Sequence, residues 1–293
     1  MSDLRPMSFG EVLDGAFTMY RRHFGLFMKL SAVTWGLPAA LLLYLRLRFS
    51  GTTPDQSLAI FQTHLPELII LGLVWLVAIV VATVMLTAGS IRVISSAYLG
   101  GASTFGDAVR LAASKIVPLV LVGLGKGLLL LIIWIVGFVA WALLVSIANL
   151  FGGASAVLVG VLGLGALFWF LAFVLCGYAL TTPVVVLEEL ASSFDAFGRS
   201  WDLTRGFKLK AFGLWLVVWI LTWLVPFCFF FGVGYVVQTK APGLELAVSV
   251  VNSLVSIALA PVLPCMLTLF YYDLRMRREG FDLQVLGQQL GIG

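Results

Sequence analysis

Charged residues fall along this chain in short clusters, separated by uncharged apolar stretches longer than a soluble core uses. The longest separates Lys126 from Glu188, 61 residues without a formal charge. A helix of about 20 apolar residues crosses the hydrocarbon core, so this run holds two crossings and a turn. The turn is legible as Asn149-Leu-Phe-Gly-Gly-Ala-Ser155. Other uncharged runs mark the remaining spans. Leu30–Leu45 is the first, extended outward past Lys29, whose stem can reach the headgroups. Leu68–Ile91 is the second, and the long run supplies the third (about Gly127–Ala148) and fourth (about Ala156–Val186). Ala211–Val237 and Leu246–Tyr272 are the fifth and sixth. Each is long enough to cross with some tilt. The pattern predicts an all-α, polytopic integral membrane protein with six transmembrane helices in three hairpins.

Six spans put both termini on one side, and the basic residues say which. Arg5, Arg21, Arg22 and Lys29 precede span one; Arg92, Arg110 and Lys115 lie between spans two and three. Arg199, Arg205, Lys208 and Lys210 lie between four and five, and Arg275, Arg277 and Arg278 follow span six. One face therefore holds 14 of the 18 Lys and Arg. The other holds Arg46, Arg48 and Lys240, with Lys126 inside or at the edge of span three. The positive-inside rule makes both termini cytoplasmic.

The segments on the basic side resemble one another: Ser8-Phe-Gly-Glu-Val-Leu-Asp14, Thr104-Phe-Gly-Asp-Ala-Val-Arg110 and Ser193-Phe-Asp-Ala-Phe-Gly-Arg199. Each opens with a hydroxyl and a Phe and precedes a pair of spans. Ser8 with Glu11 and Thr104 with Asp107 match the capping box, and Ser192 with Asp195 can do the same job. The expected organisation is one domain, residues 1–293, of three units (roughly 8–91, 104–186 and 193–272) and a tail over 273–293. Each unit opens with an amphipathic helix at the cytoplasmic surface. In the first, Phe9, Val12, Leu13, Ala16, Phe17, Tyr20 and Phe24 share a stripe, with Glu11, Asp14, Arg21 and Arg22 away from it. The second stripe has Phe105, Ala108, Val109, Ala112 and Ile116, and the third Phe194, Phe197 and Trp201. Such a helix lies on anionic lipid or packs on the bundle's own end; amphipathicity alone leaves both open.

Composition agrees. Apolar residues make up 61% of the chain and charged residues 11%, and the mean hydropathy is +1.08, outside the soluble range. Cys176, Cys228 and Cys265 sit in separate apolar runs without CxxC spacing, which reads as three buried small hydrophobes. The N-terminus lacks the short apolar core and cleavage site of a signal peptide, so the first span is expected to remain.

The candidate intramembrane polar residues are Lys126, Thr181, Thr182 and Asn252. If span three starts near Val117, Lys126 lies well inside it; if at Gly127, it is an interfacial anchor. Thr181-Thr182-Pro183, Pro226, Pro261 and Pro264 interrupt helices, as ordinary kinks or as the breaks with which transporters free backbone groups. A candidate lipid or partner patch comprises Arg21, Arg22, Glu188, Arg199, Trp201, Arg205, Lys208 and Lys210. Asp195–Arg199, Arg199–Asp202 and Asp202–Arg205 are spaced as helical ion pairs. The chain has no HExxH, GxSxG or Walker A motif, and His23 and His64 fall on opposite sides of the predicted membrane. Neither an enzyme nor a cofactor is expected.

Four stretches carry a family resemblance: Pro6-Met-Ser-Phe-Gly-Glu-Val-Leu-Asp-Gly-Ala-Phe17, Pro183-Val-Val-Val-Leu-Glu188, Arg199-Ser-Trp-Asp-Leu-Thr-Arg-Gly206 and Tyr271-Tyr-Asp-Leu-Arg-Met-Arg-Arg-Glu-Gly-Phe-Asp282. The chain resembles the glycerophosphoryl diester phosphodiesterase membrane domain, a loose group of bacterial membrane proteins. In some members this helical domain precedes a soluble barrel that carries the catalysis. The resemblance implies a stand-alone membrane domain in the bacterial inner membrane, with no catalytic residue carried over. The expected function is a non-enzymatic scaffold organising lipid or partner proteins through its cytoplasmic face, the alternative a transporter or translocation component for a lipid or small solute. Anionic phospholipid, a membrane or cytoplasmic protein, or a second copy would be its partners; nucleic acid would not.

Overall fold

The computed structural model describes residues 6–48, 64–224, 227–228, 231–233, 235 and 245–280. Among them the regular structure is helical: α1 (Phe9–Arg22), α2 (Phe24–Arg48), α3 (Leu65–Tyr98), α4 (Phe105–Ser114), α5 (Ile116–Asn149), α6 (Gly153–Gly177), α7 (Thr181–Leu187), α8 (Asp195–Thr204), α9 (Lys208–Trp219), α10 (Glu245–Leu259) and α11 (Val262–Glu279). A π turn, Ile220–Leu224, continues α9. Pro226 and Lys240 lie outside the described residues.

Among the described residues, five segments are long and apolar enough to cross a membrane: Phe24–Leu45, Leu65–Tyr98, Ile116–Asn149, Gly153–Leu187 and Val250–Glu279. A sixth follows if Asp195–Thr204 and Lys208–Leu224, bent by 102° at their junction, count as one. This is the build of a multi-pass membrane protein. The helices overrun the spans read from the charge pattern. α3 and α5 have 34 residues each, on the order of 50 Å against a core of about 30 Å. Charge marks where a helix leaves lipid, not where its hydrogen bonding ends.

The fold divides into two compact units. One comprises Met1–Ser2, Leu13–Ile116 and Val217–Thr268. In it α2 packs on α3, where Gly89 admits Leu30: a Cβ on Gly89 would lie 2.7 Å from a Leu30 methyl. Phe27, Leu30, Ile91 and Ile94 are fully buried around this contact. The stripe of α4 is buried through Ala108 and Ala112, and Thr104 with Asp107 forms a complete capping box. The Thr104 hydroxyl and N–H bonds hold the Asp107 carboxyl below its ordinary value of 3.8.

The second unit comprises Asp3–Val12, Val117–Leu216 and Leu269–Gly293. Its longest feature is the α5–α6 pair, joined by the predicted turn. Ser155 caps that turn, donating to the carbonyls of Ala148 (2.7 Å) and Gly152 (2.6 Å), and Gly152 takes a φ of 118° that side chains disfavour. Contacts run antiparallel: Val145 meets Gly160, Trp141 meets Gly163, and Leu167 fills the notch at Gly137. The Trp141 indole donates to the Gly160 carbonyl at 2.9 Å. Outward, the pair is bare apolar surface, with almost none of its most hydrophobic stretches buried. In α8, Ala196, Ser200, Leu203 and Thr204 are buried, so its inner stripe packs on this unit's own helices.

The three N-terminal signatures differ in detail. Ser8 and Glu11 form both halves of a box. At α8 only half forms: Asp195 accepts from the Ser192 N–H at 2.9 Å, whereas the Ser192 hydroxyl accepts from Phe194 rather than Asp195. Of the cysteines, Cys176 and Cys265 are buried, but Cys228 is exposed, contrary to the expectation of three buried thiols. On a lipid-facing surface a thiol needs no protein cover.

Candidate functional site

Two features stand out: helix breaks whose backbone groups are taken up by side chains, and a set of interlocked charges. The first break falls at Tyr178–Leu180, between α6 and α7. Pro183 lacks an N–H and its ring crowds the Ala179 carbonyl four residues back, so the helix turns here. The Thr181 N–H, drawn to Tyr178 O at 3.5 Å, leaves the Gly177 carbonyl without its helical donor. Side chains complete the hydrogen bonding. Gly177 O accepts from the Ser200 and Thr204 hydroxyls at 2.9 and 3.1 Å, and Leu180 N–H donates to Ser200 Oγ at 3.1 Å. Tyr178 O accepts from Lys126 Nζ at 2.9 Å and from the hydroxyl of Thr181, itself buried, at 3.0 Å. Trp201 closes over Gly177, where no Cβ would fit.

Lys126 thus finds its role. α5 begins at Ile116, so the ammonium stands about 15 Å along the helix, beside the break rather than at the helix start. Thr182 is half-buried in the first turn of α7.

The second break, at Ala260–Pro261 between α10 and α11, lies in the other unit. There the Tyr20 hydroxyl donates to the Ala258 carbonyl at 2.6 Å, while Tyr20 stacks on Phe27 at 5.8 Å between centroids. Within α11 the buried Thr268 hydroxyl donates back one turn to the Pro264 carbonyl at 2.6 Å.

The charges form two knots in the second unit. In one, Arg199 Nε donates to Glu188 at 2.9 Å, its terminal nitrogen pairs with Glu279, and Arg275 pairs with Glu279 at 2.9 Å. The Tyr271 hydroxyl donates to Glu188 at 2.7 Å. Arg199 therefore turns to Glu188 and Glu279, not to its helical neighbours Asp195 and Asp202. Exposed neighbours on one helix gain only a few tenths of a kcal/mol, whereas two carboxylates converge on this guanidinium from other elements. In the other knot Asp273, fully buried, accepts from Lys210 at 2.6 Å, Arg277 at 3.0 Å and the Met7 N–H at 2.7 Å. Lys210 and Arg277 each donate to the Met7 carbonyl at 2.7 Å. This clamps the residues before α1 onto α9 and α11, with Phe9 filling the notch at Gly213.

The proposed patch is thereby divided. Glu188, Arg199 and Lys210 are engaged in these knots. Lys208 lies over the rings of Trp201 (3.2 Å) and Phe173 (3.5 Å). Arg205 is exposed, its carbonyl bound by Arg278. Arg21 and Arg22 are exposed at the end of α1 in the other unit. Asn252, also in that unit, lines a cavity among α2, α3 and α10. Sequence reasoning missed Tyr271, Asp273, Arg275, Arg277 and Glu279 as site residues. The spacings Asp273–Arg277 and Arg275–Glu279 were the available signal, but their partners at Met7, Glu188, Arg199 and Lys210 are 63 to 270 residues away.

No protein-family model, curated protein or solved structure matches this chain.

Proposed function

We propose that this chain is a non-catalytic scaffold of the bacterial inner membrane, with both termini cytoplasmic, that organises lipid or partner proteins through its cytoplasmic face. It would be a relative of the glycerophosphoryl diester phosphodiesterase membrane domain. The observation that carries the reading is the state of the two broken helices. A transporter uses such breaks to offer backbone groups to a substrate or coupling ion. Here Lys126, Ser200, Thr204 and Tyr20 occupy the freed carbonyls, as neighbouring helices do when a break is only a kink.

Three further features support it. The two ionic knots hold the ends of several helices in fixed register, which suits a platform. The outer faces of α5 and α6 form a broad apolar wall, available to lipid or to a second copy. The exposed Arg21, Arg22 and Arg205 remain for anionic headgroups, each well-placed base contributing about 1 kcal/mol near a charged membrane surface. Transport of a lipid or solute is the competing reading, and the cavity beside Asn252 is its best support.

Reconstitution separates the two. In vesicles carrying fluorescent anionic and neutral phospholipids, the scaffold should leave exchange between leaflets at the protein-free rate. Native mass spectrometry should find anionic lipid retained, and less of it after Arg21→Gln with Arg22→Gln. Accelerated exchange between leaflets would overturn the proposal.

A further inference from the structure

The cavity among α2, α3 and α10 has a volume of about 430 Å³ and lies wholly within one unit. Small-molecule sites run from about 300 to 1,000 Å³ and are mostly apolar with a few placed polar groups. This one fits the description. Trp35, Leu43, Trp75 and Ile79 are among its walls, and Asn252 and Ser256 bring polarity to one side. Among the described residues, none of those that line it is charged. All three contributing helices belong to segments apolar enough to cross a membrane.

Two polar atoms of the lining residues have no hydrogen-bond partner among the described residues: the Trp35 indole Nε1 and the Asn252 Oδ1, both buried. One is a donor and the other an acceptor. Two more buried hydroxyls, Ser31 Oγ and Ser90 Oγ, are unpaired among the described residues but are not among those that line the cavity, and the Ser256 hydroxyl is itself bound to the Asn252 backbone carbonyl at 2.9 Å. Hydrocarbon offers no water to satisfy them, and each unpaired group costs of order 1–3 kcal/mol when buried. Pro38 adds to the opening, because it removes the helical donor to the Thr34 carbonyl and breaks the regularity of α2 at the cavity wall.

We propose that this cavity binds a neutral long-chain lipid through a single hydroxyl group. The chain fills the apolar volume. The hydroxyl accepts from the Trp35 N–H and donates to the Asn252 side-chain Oδ1, which one hydroxyl can do at once. A phosphate is disfavoured because no cation lines the site among the described residues, and a plain hydrocarbon would leave both atoms unpaired. The inference is independent of the charged face, whose lipids would be anionic.

The test uses the full chain in phosphatidylcholine nanodiscs with a long-chain alcohol carrying a photoreactive diazirine. Labelled peptides should come from residues 35–43 and 250–257. Unlabelled hexadecanol should compete about tenfold better than hexadecane, the effect of roughly one net hydrogen bond. Asn252→Leu should remove that preference while leaving labelling in place. Ala39→Phe, which fills the cavity, should suppress labelling there several-fold without changing labelling of lipid-facing α5 at Leu131, the control for both folding and bulk lipid contact. Labelling spread evenly over lipid-facing helices would overturn the proposal. So would equal competition by hexadecane, or a preference for the alcohol that survives Asn252→Leu.

Discussion

Replacing Asp273 with Asn is the sharpest available perturbation of the charged knots. The Asp273 side chain is fully buried, and Lys210, its closest cationic partner, is 14% exposed, so solvent screens the pair little. Three donors converge on the carboxylate: Lys210 at 2.6 Å, Met7 N–H at 2.7 Å and Arg277 at 3.0 Å. Neutralising the carboxylate leaves the nearly buried Lys210 ammonium without its counter-charge, which costs on the order of 3–5 kcal/mol. At roughly 2–4 °C per kcal/mol for a chain of this size, the apparent melting midpoint should fall on the order of 10 °C. The assay is intrinsic tryptophan fluorescence on heating in a fixed detergent, with size-exclusion recovery as the second readout. The coupling can be isolated: Lys210→Met added to Asp273→Asn should restore part of the loss, because the orphaned ammonium is gone. A midpoint shift of under 2 °C, or strictly additive losses in the double variant, would refute the reasoning.

Lys126→Met should strip the Tyr178 carbonyl of its long-range donor and lower stability by about 1–3 kcal/mol, with Lys126→Arg less damaging, as read by the same melts. Gly177→Ala should be worse tolerated than Gly165→Ala, since a methyl meets Trp201 at the first position and open space at the second; overpacking costs about 1–3 kcal/mol. For α4 the pH dependence has a definite sign: the Asp107 carboxyl is held below its ordinary value of 3.8, so its capping is present above that pH and lost as pH falls through the lowered value. Amide exchange of residues 104–108, corrected for intrinsic rate, should accelerate there in the wild type, and Asp107→Asn should remove that step. For topology, an impermeant thiol probe on a cysteine-free background should reach a cysteine at Thr53, which lies outside the described residues, from outside intact cells. One at Gly280 should react only after lysis, and the opposite pattern would invert the membrane orientation.

Five of the apolar helices were legible because lipid imposes a simple rule: long uncharged runs must be helices, and a cluster such as Asn149–Ser155 inside one must be a turn. Capping was legible where hydroxyl and acid stand three residues apart with nothing competing, as at Thr104 and Asp107. At Ser192 a nearer amide, that of Phe194, took the hydroxyl instead. The break at Tyr178–Leu180 was only hinted at by Pro183, because one uncharged run covers both α6 and α7 and the charge pattern cannot resolve a kink within it. Least legible were the ionic knots. Met7 and Asp273 meet only through the fold, and at sequence level Arg199 has nearer acids than Glu279. Helical spacing favours those nearer acids, but partial burial favours the distant ones, where solvent weakens the pair less.

The scaffold account depends most on the broken helices being dry, and the protein carries its own reporters. Cys176 adjoins the first break and Cys265 follows the second, and both are buried. In a Cys228→Ser variant these are the remaining cysteines. Reacted in nanodiscs with a charged, water-soluble methanethiosulfonate, both should stay unmodified for as long as the fold persists and react fully on denaturation, as counted by intact mass. Rapid modification of either thiol in the folded protein would reveal a water path to the helix breaks and contradict the account.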